Sequence, residues 1–153
     1  MTSESYIETF DESPGGWVRV VDNVHPPASL PVRAGALWSY GPLWVAYNHA
    51  PPGAGYLQLL MCLPTKGPFG ETLKEVGGEN RFVAGGYSRN LTNCQVSVRI
   101  QGELEAAGTN ICVLVQGAKN DTATTEIYTG EAFTATPEYT EQSVTLVPDE
   151  SKW

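Results

Sequence analysis

Apolar and polar residues alternate along this chain in short runs, and no window of ten residues keeps a helical period. Runs of β-branched and aromatic residues recur between clusters of Gly, Pro and Asn, which is typical of strands joined by turns. The pattern predicts strands at residues 6–10, 17–21, 36–39, 43–47, 56–63, 81–84, 95–101, 111–116, 126–128 and 142–147.

The predicted strand at 95–101 has the clearest alternation, with Val or Ile at the even positions and polar residues at the odd ones. One of its faces should point into a core and the other into water. Segments 57–63 and 111–115 are apolar in both phases, so we expect them to be central strands. Two sheets packed face to face, ~10 Å apart, would bury these runs. The expected fold is all-β, a two-sheet antiparallel β-sandwich of jelly-roll type.

Segments 95–102 and 109–117 are expected to pair as a hairpin. In that register Cys112 faces Arg99 and not Cys94, so a disulfide between the two cysteines is disfavoured, because bridged Cα atoms must come within ~7 Å. We therefore expect both to be free thiols that pack as small apolar side chains.

Length and charge narrow the class of protein. A chain of 153 residues suits one domain, predicted to span 1–153. Its 9 basic and 17 acidic residues give a net charge of −8, whose field repels polyanions and disfavours nucleic acid as a partner. The longest nearly apolar run, 56–63, is far short of the ~20 residues that span a bilayer, so no membrane span is expected.

Residues 1–8 contain neither the basic nor the apolar region of a secretory signal. Together with the unpaired thiols, this predicts a cytoplasmic protein. If the sequence is a piece of a longer exported chain, an extracellular location is expected instead.

Three segments resemble a known kind of module. Residues 8–17, Glu-Thr-Phe-Asp-Glu-Ser-Pro-Gly-Gly-Trp, resemble the opening of galactose-binding-like β-sandwich domains. Residues 90–102 with 113–117 are similar to the middle of laminin-B-like and carbohydrate-binding modules, and 140–149 resemble their closing strand. The resemblance implies a jelly-roll sandwich, a non-catalytic binding role with carbohydrate as the first ligand class, and an N-terminal position in a longer protein.

Aromatic residues are concentrated between Trp38 and Tyr56, where ring faces could stack on sugar rings while neighbouring polar groups bond the hydroxyls. The competing interpretation makes Trp17, Trp38 and Trp44 part of the core. The candidate ligand-binding residues are Tyr40, Tyr47, Asn48, His49 and Tyr56, with Gln58, Arg99 and Gln101 on a polar sheet face.

The resemblance also implies a metal site, because such modules often hold a structural Ca²⁺ near the paired first and last strands. Calcium takes ~6 to 8 oxygen ligands. The candidate ligands are Glu8, Asp11, Glu12 and Asp149. A solvated acidic edge is the competing interpretation.

Two other functions remain open at this stage. One is a structural or assembly module that docks to a partner protein domain or to copies of itself. The other is a jelly-roll polysaccharide lyase, in which Tyr47 and His49 would act as base and acid in β-elimination. Loop histidines such as His25 and His49 are more often surface residues, and no hydrolase, zinc-protease or P-loop motif occurs in the chain, so we expect no enzyme.

Overall fold

The computed structural model describes residues 4–20, 28–38, 56–59, 78–103, 111–116 and 125–153. These ranges contain eight strands, one short α-helix and a 3₁₀ turn. The elements are β1 (Trp17–Val20), β2 (Val32–Arg33), β3 (Ala36–Leu37), β4 (Tyr56–Leu59), α1 (Arg81–Ala84), β5 (Gln95–Ile100), β6 (Leu114–Gln116), β7 (Thr125–Ile127), β8 (Thr140–Thr145) and the 3₁₀ turn (Glu150–Lys152). Strands predominate among the described elements, which confirms the all-β prediction.

The chain divides into two compact units, unit 1 (Met1–Arg89) and unit 2 (Asn90–Trp153). In unit 1, β1 pairs antiparallel with β4, with Trp17 opposite Leu59. The buried apolar side chains described here are Val18, Leu30 and Phe82.

A two-residue turn joins β2 to β3, a hairpin that the sequence pattern does not reveal. Val32 pairs with Leu37 across it, and its two central residues, Ala34 and Gly35, have φ of 51° and 71°. Positive φ at both central positions is the signature of a type I′ turn, which matches the twist of a hairpin. The first central position of the turn is Ala34 instead of the usual Asn or Asp, so the Asn-Gly or Asp-Gly pair that marks such turns in a sequence is missing.

The strand predicted at 81–84 is wrong, because these residues form helix α1. Asn80 is buried and its side-chain oxygen accepts a hydrogen bond from the Val83 amide at 3.0 Å, which caps the helix N-terminus. A Cβ on Gly16, at φ 91°, would come within 2.8 Å of the Asn80 backbone, so only glycine fits there. A single helical turn is too short to show periodicity, and the β-propensity of Phe82 and Val83 therefore misleads.

Unit 2 contains two antiparallel pairs, β5 with β8 and β6 with β7. Exposed and half-buried side chains alternate along all six residues of β5, as the sequence predicts. The buried residues Tyr128, Phe133, Val144 and Leu146 form the core of the unit, and Val96 and Val98 pack against them. The sheet of β5 and β8 therefore has one apolar face and one exposed face.

The predicted hairpin between 95–102 and 109–117 is wrong, because β5 pairs with β8 and β6 pairs with β7 in separate two-stranded sheets. Burial along β8 alternates in step with burial along β5, with Val144 opposite Val96 and Ser143 opposite Ser97. Cys94 and Cys112 are nevertheless free thiols, as predicted.

Two further expectations differ from the structure. Residues 6–10 form no strand, and Phe10 has a φ of 53°, which interrupts extended backbone. Trp38 is 46% exposed and is not a core residue. The predicted strand at 43–47, with Trp44, lies outside the described residues.

Candidate functional site

The candidate site is the exposed side of the β5–β8 sheet in unit 2, which we call the polar face. Its residues face one another in cross-strand rows, and all of their side chains are exposed. The rows are Gln95 with Thr145, Ser97 with Ser143, and Arg99 with Glu141. Opposed side chains in such rows lie close enough to contact one ligand together, since their Cβ atoms are ~4.5–5.5 Å apart.

Two contacts organise the polar face. The hydroxyls of Ser97 and Ser143 lie 2.8 Å apart and share a hydrogen bond. The guanidinium of Arg99 lies 4.9 Å from the ring centroid of Tyr139, a cation–π contact. The Tyr139 side chain is 48% exposed, so much of its ring is open to a ligand.

Hydrogen bonds to backbone groups of residues 134–137 fasten the segment before Tyr139 to the sheet. Gln101 Nε2 donates to the Pro137 carbonyl at 2.6 Å, and the Gly102 amide donates to the Thr136 carbonyl at 2.8 Å. Gln142 bonds both backbone groups of Thr134, accepting from its amide at 2.9 Å and donating to its carbonyl at 2.7 Å. These bonds hold the backbone that leads into Tyr139.

The predicted ligand-binding residues are only partly described. Arg99 lies on the polar face, and Gln101 extends the same side of β5 and fastens the Tyr139 segment. Backbone pairing places Tyr56 opposite Val20 and Gln58 opposite Val18, and the structure describes no more of these two residues. The candidates that lie outside the described residues are Tyr40, Tyr47, Asn48, His25 and His49. The sugar-stacking site of Tyr40, Tyr47 and Tyr56, which we call the aromatic platform, and the lyase site therefore stay predictions.

Sequence reasoning missed Tyr139, Glu141 and Ser143. The closing strand was expected to begin at residue 142, whereas β8 begins at Thr140. A signal was available, because positions 139, 141, 143 and 145 are all polar or aromatic and share the odd phase. In the structure all four side chains are exposed.

Glu8, a candidate calcium ligand, is engaged with protein groups in unit 1. Its side chain is 6% exposed and forms an ion pair with Arg81 at 2.7 Å. It also accepts hydrogen bonds from the Tyr6 hydroxyl at 2.6 Å and from the Phe10 amide at 3.1 Å. Burial, followed by the hydrogen bond and the charge of Glu8, raises the pKa of Tyr6 well above its usual value. This network fastens residues 6–10 to α1.

The other acidic candidates have local contacts as well. Asp11 accepts a hydrogen bond from Thr9 at 2.7 Å. Asp149, in unit 2, caps the 3₁₀ turn, and the hydrogen bonds from Ser151 lower its pKa. Over the described ranges, no group of three or more His, Cys, Asp or Glu residues is arranged to hold a metal ion. The calcium site, including Glu12, stays a prediction.

A second exposed pair joins an arginine to an aromatic ring, in unit 1, where the Arg33 guanidinium lies 4.7 Å from the Trp38 ring centroid. Proteins contain such pairs roughly once per 70–80 residues, so neither pair alone marks a ligand site. The Arg99–Tyr139 pair differs because polar rows adjoin it on one sheet face.

No protein-family model matches the chain, and neither a curated protein nor a solved structure matches it. The likeness to galactose-binding-like domains therefore stays a resemblance. Among the described helices, none is both long enough and apolar enough to cross a bilayer.

Proposed function

We propose that this chain is a non-catalytic binding module that takes a carbohydrate on the polar face. The observation that supports the proposal most is the exposed Tyr139 ring, which contacts Arg99 and so lies beside rows of hydroxyl and carboxylate groups. Sugars carry apolar C–H faces and many hydroxyls, so a site for them combines an aromatic surface with hydrogen-bonding groups of both kinds.

The order of the site also favours binding. Backbone hydrogen bonds hold the segment of Tyr139, and cross-strand pairing holds Ser97 and Arg99. A ligand that meets side chains already in place has less conformational entropy to remove. The core residues Val144 and Leu146 anchor the strand from the opposite side.

A finer architecture is part of the proposal. The two-stranded pairs would belong to the two larger sheets of a jelly-roll sandwich of galactose-binding-like type, spanning 1–153. The strict alternation of β5, with one apolar and one wet face, supports this proposal because sandwich strands share that pattern.

The test of the function is a thermal-shift screen with neutral oligosaccharides built from glucose, galactose, mannose and xylose. A ligand at 100 times its Kd stabilises the folded state by ~2.7 kcal/mol, which raises Tm by several degrees in a domain of this size. We expect Tyr139→Ala to weaken binding at least tenfold while changing the Tm of the free protein little, since the side chain is exposed.

Tyr139→Phe is the matched control, because it keeps the ring and removes the hydroxyl. It should retain most of the affinity. Equal affinity of Tyr139→Ala and the unchanged protein would reject the polar face as the site. If Tyr47→Ala or Tyr56→Ala then abolished binding, the site would lie at the aromatic platform instead. Parallel thermal melts with Ca²⁺ and with EDTA test the predicted calcium site. If the site binds Ca²⁺, the Tm should be higher in Ca²⁺ than in EDTA.

A second candidate is an assembly module that docks to a protein partner or to its own copies. It is favoured by the exposed apolar side chains of Ile7, 78% exposed, and Trp38, 46% exposed, both in unit 1. Light scattering across a hundredfold range of concentration tests self-association. Self-association would be supported if the mass of the unchanged protein rose with concentration while Trp38→Ser stayed at the monomer mass. A constant monomer mass of the unchanged protein would reject it.

A further inference from the structure

The charge pattern of the polar face carries information about its ligand. Arg99 and Glu141 occupy the same cross-strand row, so a cation and an anion stand side by side. The remaining rows, Gln95 with Thr145 and Ser97 with Ser143, have no charge. The described residues of this face thus sum to zero charge.

The Arg99 guanidinium is turned toward the ring of Tyr139, at 4.9 Å from its centroid. The structure describes no ion pair between Arg99 and Glu141. The Glu141 carboxylate is exposed on the same face. An anionic group that approached Arg99 would therefore also approach the exposed carboxylate of Glu141 in the same row.

The surroundings add to this repulsion. Glu138 directly precedes Tyr139, Glu103 follows Gln101 by two residues, and both are exposed. The whole chain carries a net charge of −8. A polyanionic glycan is thus disfavoured both at the row of Arg99 and at longer range.

We propose that Glu141, which stands opposite Arg99 in one cross-strand row, restricts the polar face to uncharged glycans. The inference rests on the proposed carbohydrate function of this face. A neutral sugar can bond both side chains, because the guanidinium donates hydrogen bonds to sugar hydroxyls and the carboxylate accepts hydrogen bonds from them. For a uronic acid the same carboxylate is a repulsive element, and specificity commonly depends on such elements.

The experiment compares matched ligands by isothermal titration calorimetry. Each neutral hexasaccharide of glucose, galactose or mannose is paired with its form oxidised to the carboxylate at C6. The unchanged protein should bind a neutral member at least tenfold more tightly than its carboxylated partner. Glu141→Gln should reduce that preference by roughly fivefold, as expected for removing one screened like charge a few ångströms away.

Glu126→Gln is the control, because Glu126 is exposed on β7 and the substitution changes the net charge equally. It should leave the preference unchanged. The role of Glu141 would be overturned if the unchanged protein preferred the carboxylated ligands, or if Glu141→Gln and Glu126→Gln changed the preference equally. Either result would leave carbohydrate binding intact. If no ligand of either series binds, the proposed function itself fails, and the inference with it.

Discussion

At the residue scale, the polar face was predictable where the alternation of a strand is regular. Arg99 and Gln101 were placed on an exposed face from the odd–even pattern of β5, and the structure agrees. Tyr139 was missed because it precedes β8 and its position depends on long-range hydrogen bonds, such as the one from the Gln101 side chain to the Pro137 carbonyl. Contacts of that kind join distant parts of the sequence and leave no local pattern.

The turn between β2 and β3 allows a prediction at the same scale. Ala34 has a φ of 51°, and an ordinary L-residue in the left-handed region costs roughly 1–2 kcal/mol. Asn tolerates that region and is preferred at the first position of a type I′ turn before Gly. Ala34→Asn should therefore raise the free energy of unfolding by ~0.5–1 kcal/mol in urea denaturation.

Ala34→Val is the opposing control, because a β-branched side chain is more strained at positive φ. It should lower the unfolding midpoint. A loss of stability in Ala34→Asn, or equal stability of both variants, would show that the turn does not have this geometry.

At the scale of elements, strand positions were more predictable than strand partners. The pattern located β1, β5 and β8 to within a few residues, since periodicity is a local property. Pairing depends on contacts between segments that are far apart in the sequence, and the sequence order suggested a hairpin that does not form. Helix α1 was mistaken for a strand because it has only four residues after its N-cap, Asn80, which is too short a segment to show a helical period.

The two faces of β8 give a matched pair of substitutions. Val144 is 3% exposed and packs in the core, whereas its neighbour Thr145 lies on the polar face. Val144→Ala should cost ~2 kcal/mol, from two lost methyl groups and the cavity that remains. Thr145→Ala should change stability by no more than ~0.5 kcal/mol.

Chemical denaturation followed by circular dichroism measures both values. The order of the two effects is the decisive result, because it reports which face of β8 is buried. Equal effects, or a larger effect at Thr145, would mean that the strand is turned over and that the polar face is not exposed.

At the scale of the whole molecule, the recurrence of short β-branched and aromatic runs between Gly, Pro and Asn predicted an all-β chain, and strands predominate among the described elements. The sequence did not reveal the division at residues 89 and 90 into two compact units. Such a division depends on which segments contact one another and not on any one segment. The proposed binding surface also depends on such contacts, since Arg99, Tyr139 and Glu141 lie together only when β8 lies beside β5.

Sugar binding on the polar face is tested most directly by a two-dimensional NMR titration of the ¹⁵N-labelled protein with the neutral oligosaccharide that gives the largest thermal shift. We expect the largest amide shift changes on residues 95–101 and 139–145, together with the Arg99 side-chain signal. Shift changes confined to other residues, such as 40–56, or the absence of changes at saturating ligand would contradict it.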